Sequence, residues 1–375
     1  LASVQPVCDL TPTTKTGAIE GRDEAMYLRA WSYGALADIV IAAAGDTEVL
    51  VDSDEGRQIA RHHAEMESTY RRLISEYPAS DFSRDAMLEL GQHLFNLSSY
   101  PEAKKWFSAL RERLEKSDVA VSDPKRGANL LERSVYGLAF VSFEEGDYVE
   151  ARVLFDEVAK QVSSELAPRA VFQSARSWML SRADREAVKR FERIVTELKP
   201  RASEYYEESL LRLGECHHRL QEYDKAAEVL ARLLTEFPNG DLRHEARFAL
   251  GFAQQYLNKF DDAVKTFRQV VTDTPGVVGS RAQYHIGECF MDQKKYREAA
   301  REFLVVVANF DFEGGYRDWF RRALLSAGLA YQADGDAKAA RQQWKELLER
   351  FSESPEAKAA KQRLSNADGE SKKTN

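Results

Sequence analysis

From Gly91 onward, small residues return along the chain, each trailed by further small and aromatic residues at fixed distances. Gly91 is followed by Tyr100, Ala103 and Phe107, and Ala139 by Tyr148, Ala151 and Phe155. Ala175 is followed by Asp184, Ala187 and Phe191, and Gly214 by Tyr223, Ala226 and Leu230. Gly251 leads to Phe260, Ala263 and Phe267, Gly287 to Tyr296, Ala299 and Phe303, and Gly328 to Ala337, Ala340 and Trp344. All seven groups keep offsets of 9, 12 and 16 residues. The pattern predicts pairs of antiparallel helices joined by a tight turn. The small residue of the first helix is expected to face the small residue of the second, with the aromatic filling the space beside that crossing. Signals such as Phe237-Pro238-Asn239-Gly240 stop one helix and launch the next, and Pro78, Pro200 and Pro275 fall at similar places.

Ahead of Asp85 the pattern blurs. EAMYLRAWSYGALADI reads as one helix and EMESTYRRLISEYP as another, with an acidic insertion at 46–56 between them. The expected organisation is a disordered leader at 1–20, a divergent helical repeat at 21–84, a repeat array at 85–365 and a disordered tail at 366–375. The stretch 112–131 is expected to be a longer polar loop that accounts for the 48-residue step from Gly91 to Ala139.

This pattern resembles the tetratricopeptide repeat, whose hallmarks are small residues at the eighth and twentieth positions, an aromatic at the twenty-fourth and a proline near the thirty-second. The resemblance covers about Asp85–Phe351. It implies an all-α fold, a right-handed α-solenoid of stacked antiparallel helix pairs. Steps between units are 48, 36, 39, 37, 36 and 41 residues, longer than the family's usual repeat. Units of 36 or 37 with Phe-Pro turns, as in EFPNGDLRHEARFALG, are similar to a bacterial cell-envelope subset whose members work with the Tol–Pal system or in outer-membrane β-barrel assembly. The resemblance therefore implies a non-catalytic protein-binding scaffold in the periplasm or cell envelope, with the cytoplasm as the alternative compartment. The chain opens on Leu1, which leaves a second reading open: a scaffold segment of a larger protein whose catalytic or signalling domain lies elsewhere.

Composition narrows the partner. Charged residues make up 30% and the net charge is −8, which argues against nucleic acid, because neutralising phosphates needs a basic surface. The longest apolar candidate, Ala35–Gly45, is too short to span a bilayer and contains Asp38, though a membrane-associated complex stays open. Cys8 follows Gln5-Pro6-Val7, a poor match to a lipoprotein cleavage site. Three cysteines make no disulfide framework.

The densest cluster of chemistry is Cys216-His217-His218. Adjacent helical side chains point about 100° apart, so these three cannot converge on one ion, and no two histidines have the i,i+3 or i,i+4 spacing of a helical zinc pair. Cys216 and Cys289 share one register position, which predicts packed thiols. Asp52-Ser53-Asp54-Glu55-Gly56 fails the calcium-loop register, with Arg57 sixth and His63 twelfth. No nucleotide, nucleophile-elbow or zinc-protease motif occurs, so no cofactor, metal or catalytic residue is expected.

In the family the resemblance points to, partners touch first-helix positions near the second, fifth, ninth and twelfth of each unit. Mapped by register these are Glu208, Leu211, Glu215 and His218; then Glu245, Phe248, Phe252 and Gln255 with Tyr256 adjacent; then Arg281, Tyr284, Glu288 and Met291. The strip is acidic and aromatic and suits a protein or peptide partner. A second reading of Phe248 and Phe252 is packing between neighbouring units. The ninth positions Gln92, Glu215, Phe252 and Glu288 lack the Lys and Asn with which chaperone-binding members grip a terminal carboxylate. The aromatic stretch 310–320 is open to two readings, a binding loop or a wedge against its neighbours. The oligomeric state is left undecided by the sequence.

Overall fold

The computed structural model describes residues 21–44, 52–116, 123–161, 164–198, 203–273, 276–309 and 316–371. Among them the regular structure is entirely helical, with seventeen helices and no strand. The helices are α1 Arg22–Ala44, α2 Asp54–Glu76, α3 Asp81–Asn96, α4 Tyr100–Glu115, α5 Pro124–Glu144, α6 Tyr148–Ala159 and α7 Ala167–Leu180. There follow α8 Asp184–Thr196, α9 Ser203–Arg219, α10 Tyr223–Glu236, α11 Arg243–Tyr256, α12 Phe260–Asp273, α13 Val277–Asp292, α14 Tyr296–Asn309, α15 Arg317–Ala333, α16 Ala337–Phe351 and α17 Pro355–Ser371. The chain divides into two compact units, Leu1–Arg182 and Ala183–Asn375. The division falls between α7 and α8.

Every repeat turns at the same place. The residue seven positions past the small one takes a positive φ: Ser98 (57°), Arg182 (61°), Gln221 (61°), Asn258 (58°) and Lys294 (61°), with glycine at Gly146 and Gly335. In five of these turns the residue after it closes the helix end by a long backbone bond, as in Glu222 N–H to His217 C=O at 2.9 Å and Lys295 N–H to Phe290 C=O at 2.9 Å. A side chain in this left-handed region costs roughly 1–2 kcal/mol, part of which glycine gives back as chain entropy. Lys294→Gly is therefore expected to raise the stability of the second unit by about 0.5–1 kcal/mol, read as a higher midpoint in thermal unfolding.

The sixteenth-offset residues are the core knobs: Phe107, Phe155, Phe191, Leu230, Phe267, Phe303 and Trp344 are all buried. Here one expectation is corrected. The glycine is required by the knob, not by the alanine of the partner helix. A Cβ at Gly251 would lie 2.6 Å from the Phe267 ring, at Gly287 2.6 Å from the Phe303 ring, and at Gly214 2.6 Å from Leu230. Phe107 is held between two glycines, Gly91 and the unanticipated Gly137, each less than 3 Å from the ring through a notional Cβ. A flat ring needs more depth than a methyl group, so the bare backbone is the seat.

Two further expectations change. Most of 112–131 is helical: α4 runs to Glu115 and α5 begins at Pro124, capped by Asp123, whose side chain accepts from Lys125 N–H at 2.9 Å. The extra length of that repeat sits largely in the 21-residue α5, with 117–122 outside the described residues. At the other end α17 carries the chain in helix to Ser371, where a tail was expected from 366; 372–375 lie outside the described residues, as does the leader at 1–20. The acidic Asp52–Gly56 segment is a helix start, since Ser53 Oγ accepts from Gly56 N–H at 2.9 Å.

Candidate partner-binding site

The candidate residues lie on the first helices of consecutive pairs in the second unit: α9, α11, α13 and, beyond the sequence-based set, α15. Most converge on two neighbouring pockets. One, of about 510 Å³, is lined by Glu215, His218, Glu245, Phe248, Phe252, Tyr256 and Arg281 together with Arg219, Ala249 and Val278. The other, of about 700 Å³, is lined by Phe252, Gln255, Tyr256, Tyr284, Glu288 and Met291, with Asn258, Phe260, Asp292, Phe303, Ser326 and Leu329. Phe252 and Tyr256 are shared, so they form the ridge between the two.

That ridge is anchored in the core. Phe252 is half-buried and meets the knob Phe267 edge-on at 5.7 Å, Phe248 at 4.9 Å and His285 at 4.3 Å. Tyr256 is 54% exposed and stacks on Tyr223 at 4.6 Å, with His218 edge-on at 5.2 Å. The two readings of Phe248 and Phe252 therefore merge: both rings pack on the core and both present an edge to a pocket. Burial, then the charge of Arg219, holds His218 below the usual histidine range.

Leu211 does not belong to this surface. It is only 2% exposed, because α9 turns that position into the core. Glu208 lines neither pocket. The strip is also less acidic than its composition suggests. Arg212 binds Glu208 at 3.3 Å and Glu215 at 3.1 Å, His285 Nδ1 lies 2.6 Å from Glu288, and Gln255 donates to Asp292 at 3.1 Å.

Cys216, His217 and His218 diverge. Cys216 is fully buried and burial pushes its thiol up to about 12. Buried His217 meets Glu222 through Nδ1 at 2.7 Å, and that hydrogen bond is the first of the contacts that lower the Glu222 carboxyl. Cys289 is likewise fully buried and raised to about 12 by burial. Among the described residues no group of three metal-ligating side chains comes together. Neither thiol should react with iodoacetamide at pH 8 in the folded protein, and both should be alkylated in denaturant. Peptide mapping that finds either one modified under native conditions would contradict the packed state.

Family models of the tetratricopeptide repeat match residues 208–240 and 322–354, and a second such model matches 248–313. Over these residues the chain is similar to the tetratricopeptide repeat. Among solved structures, the C-terminal part of a tetratricopeptide repeat-containing protein from Cytophaga hutchinsonii is similar at 15% identity, covering 73% of this chain and 98% of that one with a TM-score of 0.55. The crystal structure of MamA is similar at 18% identity, covering 50% and 92% with a TM-score of 0.41. That of YrrB, described as a tetratricopeptide protein with an unusual peptide-binding site, is similar at 13% identity, covering 57% and 96% with a TM-score of 0.43. None of the curated proteins matches.

Carrying the tetratricopeptide register one repeat further than the sequence-based set reaches two residues it missed, Leu329, which lines the larger pocket, and Arg322. Trp319 was missed because it stands inside an aromatic stretch that interrupts the spacing. The residues 310–315 of that stretch lie outside the described residues, whereas Trp319 and Phe320 belong to α15. Phe320 is buried, and Trp319 packs on Tyr284 at 5.5 Å. Among the described residues no helix is long and apolar enough to cross a membrane.

Proposed function

We propose that this chain is a non-catalytic interaction scaffold in bacterial cell-envelope assembly or maintenance, and that it holds a protein or peptide partner across the Phe252–Tyr256 ridge. The observation that carries the binding role is the pair of adjoining pockets with an aromatic divider fixed on the core. Rigid aromatic edges beside recesses supply contact area at little entropic cost, which is what anchors a partner's side chains. Tetratricopeptide repeats are in general scaffolds of this kind. The envelope role rests on the units of 36 and 37 residues and on the Phe237-Pro238 turn.

A photo-reactive amino acid at Tyr256, which faces both pockets and is the more exposed of the ridge residues, tests the reading. The purified protein is exposed to separate envelope and cytosolic fractions, with a second probe at Lys265 on the other helix row. The expected result is a discrete adduct from the envelope fraction at Tyr256 and none at Lys265. Adducts confined to the cytosolic fraction would remove the envelope assignment, and adducts at Lys265 alone would remove the ridge.

A further inference from the structure

Two charges beside the smaller pocket have no counter-ion among the described residues. Arg281 on α13 and Arg322 on α15 hold the same register position in consecutive repeats, six residues before Gly287 and Gly328. Arg281 Cζ lies 4.4 Å from the centroid of Phe248, 5.8 Å from that of Phe252 and 5.8 Å from that of Trp319. Arg322 Cζ lies 5.0 Å from the same Trp319 ring. Two guanidiniums thus share one indole. Neither takes part in a hydrogen bond or ion pair among the described residues, although Glu245 lines the same pocket as Arg281. Burial, and after it the like charge of Arg322, lowers the Arg281 guanidinium below its ordinary range.

Stacking on rings uses only the flat face of a guanidinium. Its five in-plane N–H donors stay available, in the fork geometry that matches a carboxylate. Of the nearby acids, Glu208 and Glu215 are taken by Arg212 and Glu288 by His285, and Glu245, though it lines the same pocket, makes no ion pair with either arginine. An arginine pair also occurs at this register in the first unit, at Arg133 and Arg169, but there Glu89 faces Arg133. The uncommitted pair is the one in the second unit.

We propose that Arg281 and Arg322, held side by side on Trp319, form a seat for the carboxylate side chains of an acidic peptide, with the Phe248–Phe252 edge taking an apolar residue next to them. This rests on the peptide-binding reading above and gives it a sign: the partner segment is acidic although the protein itself carries a net −8. A carboxylate between the two guanidiniums relieves their mutual repulsion, and each bond it makes is charge-assisted.

The test is to pan a random twelve-residue phage library on the full chain and sequence the enriched pool. The expected pool is rich in Asp and Glu beside an aromatic or aliphatic residue. Its consensus peptide, made with a fluorescent label, should weaken about 10–100-fold on Arg281→Gln or Arg322→Gln, and similarly when its acids are replaced by their amides. Lys265→Gln serves as the control and should leave affinity unchanged. Thermal midpoints establish that the variants fold, and exposed Arg322 carries the test if Arg281→Gln does not. A basic or purely apolar pool, or an acidic pool indifferent to both arginine substitutions, overturns the seat while leaving peptide binding intact. A pool no different from the input library overturns both.

Discussion

Gly251→Leu should destabilise the second unit by about 1–3 kcal/mol, because the new side chain has nowhere to go. The Phe267 ring already lies 2.6 Å from where a Cβ would stand, and that ring cannot swing aside. It is fully buried and meets Phe248, Phe252 and His285 at 5.7 Å each. Relief would have to come from moving α11, which carries the ridge, away from α12. The substitution should therefore act twice: a lower midpoint in thermal unfolding, and loss of the Tyr256 photo-adduct even at temperatures where the protein remains folded. An unchanged midpoint would mean that α11 and α12 cross in a different register from the one described. Gly335, seven residues past Gly328, makes the contrast. It meets nothing within 4 Å, and its demand is only for a positive φ of 88°, so substitution there strains the turn and leaves the core alone.

This difference explains what the sequence could and could not disclose. Within each unit the offsets of 9, 12 and 16 locate the helix pairs from α3 onward, because helical geometry ties those positions to one buried seam. They do not say which contact makes glycine necessary, since a small residue is equally consistent with a facing alanine or a facing ring. The left-handed turn residue is nearly invisible: Arg182, Gln221 and Lys294 have no intrinsic preference for positive φ, and only Gly146, Gly335 and Asn258 hint at it. The length of α5 was hidden by its polar start, PKRGANLLERS, which reads as loop until the buried Gly127, Leu130 and Ser134 are seen to share one face.

At the site, register alone found the ridge but misread its charge. The neutralising pairs were legible, with Arg212 four residues after Glu208 and three before Glu215. Counting acids without pairing them produced an acidic strip. The Arg281–Trp319–Arg322 arrangement was not legible in the same way, because it joins two helices across a step of 41 residues that departs from the usual spacing.

Trp344→Ala should cost more, about 3–5 kcal/mol, yet damage less of the binding surface. The indole is buried against Gly328 and packs with Phe320, Leu324, Leu347 and Phe351 and with Ala357 and Ala360 of α17, while its Nε1 donates to Leu325 C=O at 3.4 Å. Removing it leaves a void bounded by a glycine, so no neighbouring side chain on that side can close the gap. In a stacked array each repeat leans mainly on its neighbours, and loss at one end propagates weakly. Hydrogen exchange should then show protection falling in α15, α16 and α17 while α9 through α13 keep theirs. The larger pocket takes Ser326 and Leu329 from α15 and should lose that wall. The smaller pocket is built only from α9, α11 and α13 and should survive, but Arg322 and Trp319 travel with α15. An acidic peptide seated on both arginines should consequently weaken in Trp344→Ala, whereas a peptide held by the smaller pocket alone should bind as before. Equal loss of protection across the whole second unit would show instead that it unfolds as one cooperative block, and that the aromatic end of the array is its keystone.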